Sequence, residues 1–359
     1  MAPYFLKNLI PHRDTRESSG IIPALKKLTW VQWAQFWSGW LAWTCDALDF
    51  FSVSLTVSLL SKQFGKQTTQ ITTAITLTLL FRSVGAVIFG ILSDRFGRKW
   101  PLVFNLFLCC IFSLATSFVN TYSQFLAVRS LFGIAMGGIW GLASATALEN
   151  LPVELRGLGS GILQEGYAVG YLIAAVINLT LVAESSHTWR TLFWTGSGIT
   201  FFAGIVRACV PESEVFLRAK AVEKARGTNT TQKTKIFVRE TKEMLKRHWL
   251  LCIYAVLLMT GFNFLSHGSQ DLYPTYLETS KNFSAHDATV ATIIGNLVRC
   301  FCGIAGWASQ YIGRRVTIVL LVLLVGAFIP LWILPYSFSA LAAGAFCIQF
   351  GVQGAWGVV

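Results

Sequence analysis

Of 359 residues, 54% are apolar and only 13% are charged, with a mean hydropathy of +0.56. A soluble domain carries about a quarter charged residues, so most of this chain is excluded from water. The net charge of +12 does not point to nucleic acid, because the basic residues are spread over connectors between apolar runs instead of forming one patch.

Residues 1–29 form a polar, basic tail without the short apolar core of a signal peptide. Apolar runs follow near 33–60, 69–92, 101–119, 123–147, 157–182, 189–210, 249–277, 287–309, 316–335 and 338–359. Each is long enough to cross a bilayer, which takes about 20 residues, and the chain end cuts off the last. A long polar connector, 211–248, follows the sixth run. The reading is an all-α membrane protein with a cytoplasmic tail (1–29), a first six-helix bundle (30–210), a cytoplasmic central loop (211–248) and an incomplete second bundle (249–359). Of the 29 Lys and Arg, only Lys62, Lys66, Arg190 and Lys281 fall on one side of this arrangement, and Arg82, Arg129 and Arg299 lie within spans. All the others share the side of the N-terminus, which the positive-inside rule places in the cytoplasm, near anionic lipid. The eight cysteines show no metal or disulfide spacing, and no cofactor is expected.

Span one carries two acids, Asp46 and Asp49, on neighbouring faces of a helix. Buried in a membrane they are costly unless paired or solvated. A carboxylate removed from water holds a proton more readily, which suits a proton carrier; a structural ion pair is the other reading. After span two comes Gly90-Ile-Leu-Ser-Asp94-Arg95-Phe-Gly97-Arg98-Lys99. Gly90 would let helices approach, Asp94 would cap a helix and pair with a nearby Arg, and Arg95, Arg98 and Lys99 would hold the loop at the basic surface. Together they would act as a conformational charge latch. Span four holds Arg129-Ser-Leu-Phe-Gly133-Ile-Ala-Met-Gly137. Its glycines suit close helix contact, and its Arg should meet a cavity or a carboxylate unless it snorkels to the helix end. Glu165 in span five is a third intramembrane acid and a candidate for proton coupling. Glu149, Glu154 and Glu212 read as structural.

Span seven reads Asn263-Phe-Leu-Ser266-His267-Gly-Ser269-Gln270-Asp271-Leu-Tyr-Pro274-Thr275. Asn263, Ser266, His267, Gln270, Asp271, Pro274 and Thr275 recur at helical spacing and form one stripe. Such a polar stripe cannot point at lipid and must line a cavity. An imidazole changes charge near neutral pH, so His267 and Asp271, four residues apart, are candidates for proton coupling. An anionic substrate needs a cation. Arg299, in mid-span, is the first candidate and Arg82 the second, since either can hold a carboxylate bidentately. Pairing of these arginines with Asp46, Asp49 or Asp271 is the competing reading.

A second connector, Gly306-Trp-Ala-Ser-Gln310-Tyr-Ile-Gly313-Arg314-Arg315, repeats the first at an offset of 216 residues, with Gln310 in place of Asp94. The same offset pairs Gly138-Ile-Trp140-Gly141 with Gly354-Ala-Trp356-Gly357. Two motifs in one register mark a duplicated six-helix unit. An equal second half would run to about residue 426, so the chain is expected to be C-terminally truncated, lacking two helices and part of a third.

The Gly90–Lys99 connector, the Arg129 pattern and the duplicated halves resemble the major facilitator superfamily. The family often links the Arg129 position to proton coupling. The Gly-Pro signature of antiporter fifth helices is absent from 157–182. The span-seven stretch resembles the signature of the fungal Jen-type lactate/pyruvate:proton symporters of the sialate:proton symporter family, at Asn263, Ser266, His267, Ser269, Gln270, Asp271 and Thr275. That resemblance also takes in Leu79–Gly85 and Gly351–Gly357. It implies proton-coupled uptake of short monocarboxylates at a plasma membrane, and some relatives also take dicarboxylates. In this reading Asn263, Ser266, His267, Gln270, Thr275, Arg299 and Arg82 touch substrate. Asp271, His267, Asp46, Asp49, Glu165 and Arg129 serve the proton. Gly90, Asp94, Arg95, Gly97, Arg98, Lys99, Gly313 and Arg314 form the latch. The implied partners are a small carboxylate, protons, the bilayer and ubiquitination machinery on the cytoplasmic lysines, with no nucleic acid. A sugar-type or dicarboxylate carrier, a carboxylate sensor and an inactive fragment remain as alternatives. An enzyme is disfavoured, since no nucleophile–base pair or metal-ligand set is apparent.

Overall fold

The computed structural model describes residues 21–225, 230–297 and 302–358, and in the described residues every regular element is a helix. In chain order these are α1 (Ile21–Lys26), α2 (Trp30–Phe64), α3 (Thr68–Phe96), α4 (Lys99–Thr116), α5 (Tyr122–Met136), α6 (Ile139–Leu148), α7 (Val153–Ile177, continued by a π turn, Asn178–Val182) and α8 (Arg190–Cys209). Then follow α9 (Glu214–Ala225), α10 (Thr230–Gln270), α11 (Tyr273–Ser280), α12 (Ala285–Leu297), α13 (Cys302–Ile312), α14 (Arg314–Ile333) and α15 (Phe338–Val358). Nine helices among the described residues are long and apolar enough to cross a membrane. The further span expected at 287–309 comprises α12 and α13 on either side of 298–301.

The ends of these helices are chemically specified. Thr29 and Thr121 each form a capping box, with Gln32 and Gln124, at the starts of α2 and α5. Gly65 closes α2 at φ 58°, where a Cβ would be strained. The connector 211–248, expected to be a loop, is largely helical where described: α9 is rich in Glu, Lys and Ala and the first turns of α10 in Lys, Arg and Glu, all good helix formers. α10 bends at His248, whose backbone leaves the helical region (φ −123°).

The first half packs around α2, which touches α3, α6, α7 and α8. Its core includes Leu48, Phe50, Phe51, Phe125, Phe132, Tyr171, Trp189 and Phe193. The glycines that permit close packing are Gly85, Gly133 and Gly137, where α3 and α5 run so close that a Cβ would collide with the other helix's backbone. The role expected of Gly90 therefore belongs to Gly85: Gly90 has open space around it and lies on a cavity wall. The second half has smaller clusters, Tyr273, Leu277, Ala288 and Leu341 in one and Val325, Ile348 and Val352 in another. Its α10 exposes Trp249, Leu250, Leu251, Val256 and Leu257, a surface that lipid suits and water does not.

The halves meet where α7 packs on α13 and α15, and where α2 touches α11. At the first contact Gly306 lies against the carbonyls of Gly157 and Gly357. At the second the Ser58 hydroxyl donates a hydrogen bond to Glu278 Oε2.

Candidate functional site

Between the halves lies a cavity of about 1040 Å³. Its first-half wall includes Trp43, Arg82, Trp140, Gln164 and Tyr167, and along α3 it runs from Thr76 to Ser93, toward the basic connector. Its second-half wall includes Asn263, Ser266, His267, Gln353 and Trp356.

Arg82 projects from α3 into this wall, 5.6 Å from the centre of the Trp43 ring, and its Nη2 is 3.7 Å from Asp46 Oδ2. Asp46 is 1% exposed and neither carboxylate oxygen accepts a hydrogen bond. Its compensation is charge alone: Arg82 at the cavity wall and, within electrostatic reach, Arg129. Asp49, three residues along α2 and equally buried, is held differently. Its Oδ1 accepts from Ser113 Oγ at 2.8 Å and its Oδ2 from Thr200 Oγ1 at 2.9 Å. Arg129 does not snorkel. It is 1% exposed, stacks on Phe132 at 4.0 Å, leaves Nε and Nη1 without hydrogen bonds, and feels both Asp46 and Asp49. Glu165 is half-buried on α7 and lies off the cavity lining.

The span-seven stripe is not one continuous helical face. α10 ends at Gln270, and α11 begins at Tyr273 with Pro274 in its first turn. Pro274 supplies no backbone donor, so the helix restarts there instead of running through. Asn263, Ser266 and His267 line the cavity, whereas Gln270, Asp271 and Thr275 are buried behind it. His267 Nδ1 lies 2.9 Å from Asp271 Oδ2, and its ring meets Phe50 of the first half edge-on at 5.8 Å. Gln270 Nε2 donates to Ser266 Oγ at 2.8 Å, Asn263 Nδ2 donates to the Met259 carbonyl, and Gln349 of α15 donates to Ser269 Oγ at 3.2 Å. Arg299, the first candidate for the substrate's carboxylate, lies outside the described residues.

At the basic connector, Gly97 (φ 93°) and Gly313 (φ 104°) both adopt a positive φ, which glycine tolerates, at equivalent places in the two repeats. The ion pair there differs from the one expected. Arg98 pairs with Glu149 through Nη2 at 2.8 Å, and Glu212 Oε2 accepts from the Lys99 backbone N–H at 3.0 Å. Asp94 and Arg95 are exposed, and Asp94 makes no ion pair among the described residues; the guanidinium of Arg98 is taken by Glu149 instead. Arg314 is likewise exposed. Sequence reasoning missed Ser58–Glu278 and the cavity position of Trp140 and Trp356. The repeated Gly-x-Trp-Gly was the available signal for the tryptophans; nothing marked the first pair.

Two helical halves around a central cavity, with small-residue helix contacts and repeated glycine turns, define a membrane carrier architecture. Residues 39–359 match the Major Facilitator Superfamily, and the chain belongs to that family. It is 36% identical over 361 residues to a carboxylic acid transporter protein homolog of Saccharomyces cerevisiae, covering 97% of this chain and 58% of the relative. It is 28% identical over 296 residues to a probable 4-methylmuconolactone transporter of Cupriavidus pinatubonensis, covering 80% of this chain and 65% of that one. The chain thus spans less than two thirds of the length of both. Among solved structures, the partially occluded, inward-open xylose transporter XylE from E. coli superimposes with a TM-score of 0.67 at 18% identity, over 92% of this chain and 83% of that one. That likeness is one of fold.

Proposed function

We propose that this chain carries out proton-coupled symport of short monocarboxylates, of the lactate and pyruvate type, by alternating access. The carrying observation is the Arg82–Asp46 pair at the cavity wall, with an Asp46 carboxylate that no hydrogen bond supports. An incoming carboxylate competes with Asp46 for the Arg82 guanidinium. Once Arg82 turns to the substrate, Asp46 is a buried charge short of its partner, and taking up a proton relieves it. Substrate and proton then enter together, with the charge on Arg82 balanced throughout. Arg129, within electrostatic reach of Asp46, adds a second positive charge beside it. His267, with Asp271 against its Nδ1, contributes from the second half, with Asn263 and Ser266 as hydrogen-bond donors to the substrate. The Ser58–Glu278 contact joins the halves and is the contact that makes and breaks as they rock, whereas Arg98–Glu149 lies within the first half and fixes its basic connector.

The carboxylic acid transporter homolog of yeast supports the substrate class, and the span-seven pattern supports a Jen-type symporter within it. The distribution of Lys and Arg supports a cytoplasmic N-terminus and central segment, with its lysines accessible to ubiquitination, and the Jen-type resemblance supports the plasma membrane. The test is uptake of labelled lactate by the chain in a host without its own carboxylate permeases. Uptake should be faster in acidic than in neutral medium. Arg82→Gln should raise the apparent KM about 10- to 100-fold, the worth of a charge-assisted hydrogen-bonded pair. Lactate uptake indifferent to external pH would remove the proton from this scheme.

A further inference from the structure

Trp140 on α6 and Trp356 on α15 stand at equivalent positions of the 216-residue repeat. Both are half-buried, and both line the one cavity, each from its own half. Each is braced by an aromatic ring from the first long helix of that half. Trp43 of α2 lies 4.6 Å from Trp140, and Phe262 of α10 meets Trp356 edge-on at 5.5 Å. The backbone before each Trp is pinned: Gly138 is wedged against Phe89 and Asn105, and Gly354 against Leu321. After Trp140, Gly141 has open space where a side chain would stand, so nothing covers that ring from its own neighbour. The same walls hold polar atoms with no partner, namely Trp43 Nε1, Gln164 Oε1 and Trp356 Nε1; Trp43 and Gln164 are only 6% and 9% exposed. A three-carbon acid leaves most of about 1040 Å³ unfilled, since cavities of about 300–1,000 Å³ take drug-sized ligands.

We infer that Trp140 and Trp356 form a two-sided clamp for a planar ring, and that the carrier takes aromatic monocarboxylates whose carboxylate rests on Arg82. The inference rests on the carboxylate reading above and names a wider substrate class for that site. The ring offers a π-face to indoles on both rocking halves, so it is held most tightly when the halves close over it. A saturated ring of the same charge and similar size has no such face.

The experiment is inhibition of labelled lactate uptake by benzoate and by cyclohexanecarboxylate, in cells expressing the full 359-residue chain. Benzoate should inhibit at about three- to tenfold lower concentration, the range a well-placed aromatic contact supplies. Trp140→Leu and Trp356→Leu should each shrink that ratio, and Trp140→Phe and Trp356→Phe should restore most of it, all compared at equal surface expression. The comparison of the two acids on the unaltered chain stands even if a Leu variant fails to reach the membrane. Equal inhibition by the two acids, with lactate uptake intact, overturns the clamp and leaves the carboxylate reading standing. Absence of lactate uptake, with neither acid bound or carried, overturns both.

Discussion

The two halves hold the polar groups beside the cavity in different ways. In the first half the acids of α2 are wired across helices: Asp49 to Ser113 on α4 and Thr200 on α8, and Asp46 to Arg82 on α3, with Arg129 of α5 near both. In the second half the cavity-side pairs His267–Asp271 and Ser266–Gln270 are each made between residues four apart at the end of α10, and the links to other helices are Gln349 to Ser269 and, from α11, the Tyr273 and Tyr276 hydroxyls to backbone carbonyls. A group wired across helices cannot change state without disturbing the packing of its partners. A pair within one helix, next to a break at Asp271–Leu272, can rearrange locally. The first half therefore reads as a rigid frame with one adjustable element, Asp46, and the second as the more yielding wall.

The largest effect expected from this contrast is on Asp49. Asp49→Ala removes two hydrogen bonds to a charged group, each worth about 1.5–3 kcal/mol, and strands two buried hydroxyls. The purified protein in detergent should lose about 3–6 kcal/mol of stability, read from thermal or denaturant unfolding. An Asp49→Ala protein that unfolds like the parent would show that the first half is not wired as described. Asp46→Asn should behave oppositely although it lies on the same helix and is as deeply buried. It has no hydrogen bond to lose, so stability should change by about 1 kcal/mol or less. Its effect should fall on coupling: substrate should equilibrate without accumulating, and uptake should no longer respond to external pH. An Asp46→Asn carrier that still concentrates lactate would move the proton site to the second half and reverse the comparison.

How much of this was legible beforehand follows from the physics of each feature. Spans show in composition because a bilayer demands about 20 apolar residues wherever it is crossed. The repeat shows because Gly97 and Gly313 must both adopt a positive φ. The difference between Asp46 and Asp49 does not show, because Asp49's partners are ordinary hydroxyls far along the chain and only the rotation of α2 selects them. The same holds for Gly85 and Gly90, five residues apart on α3, one pressed against α5 and the other open to the cavity. Arg98 finds Glu149 instead of Asp94 because the Gly97 turn swings it toward the end of α6, a direction that spacing alone does not give. The break in the span-seven stripe was the more readable miss. Pro274 was in view, and a proline with the residue before it disfavours an uninterrupted helix.

The smallest effect belongs to His267, and it is the sharpest test of whether the second-half wall yields. Its ring touches one acid on its own helix and Phe50 across the cavity edge, with the side chain 20% exposed. A pair four residues apart on a partly solvated helix contributes about 0.3–0.5 kcal/mol. His267→Gln keeps a hydrogen-bonding group near Asp271 and loses the ring. Stability should therefore fall by less than about 1 kcal/mol. Lactate transport should persist at a rate reduced roughly two- to fivefold, the cost of losing one modest contact to substrate. If His267→Gln instead abolished transport while leaving expression and melting unchanged, the imidazole would be an obligatory carrier of the proton. The second half would then hold the rigid chemistry, and Asp46 would be reduced to setting the position of Arg82.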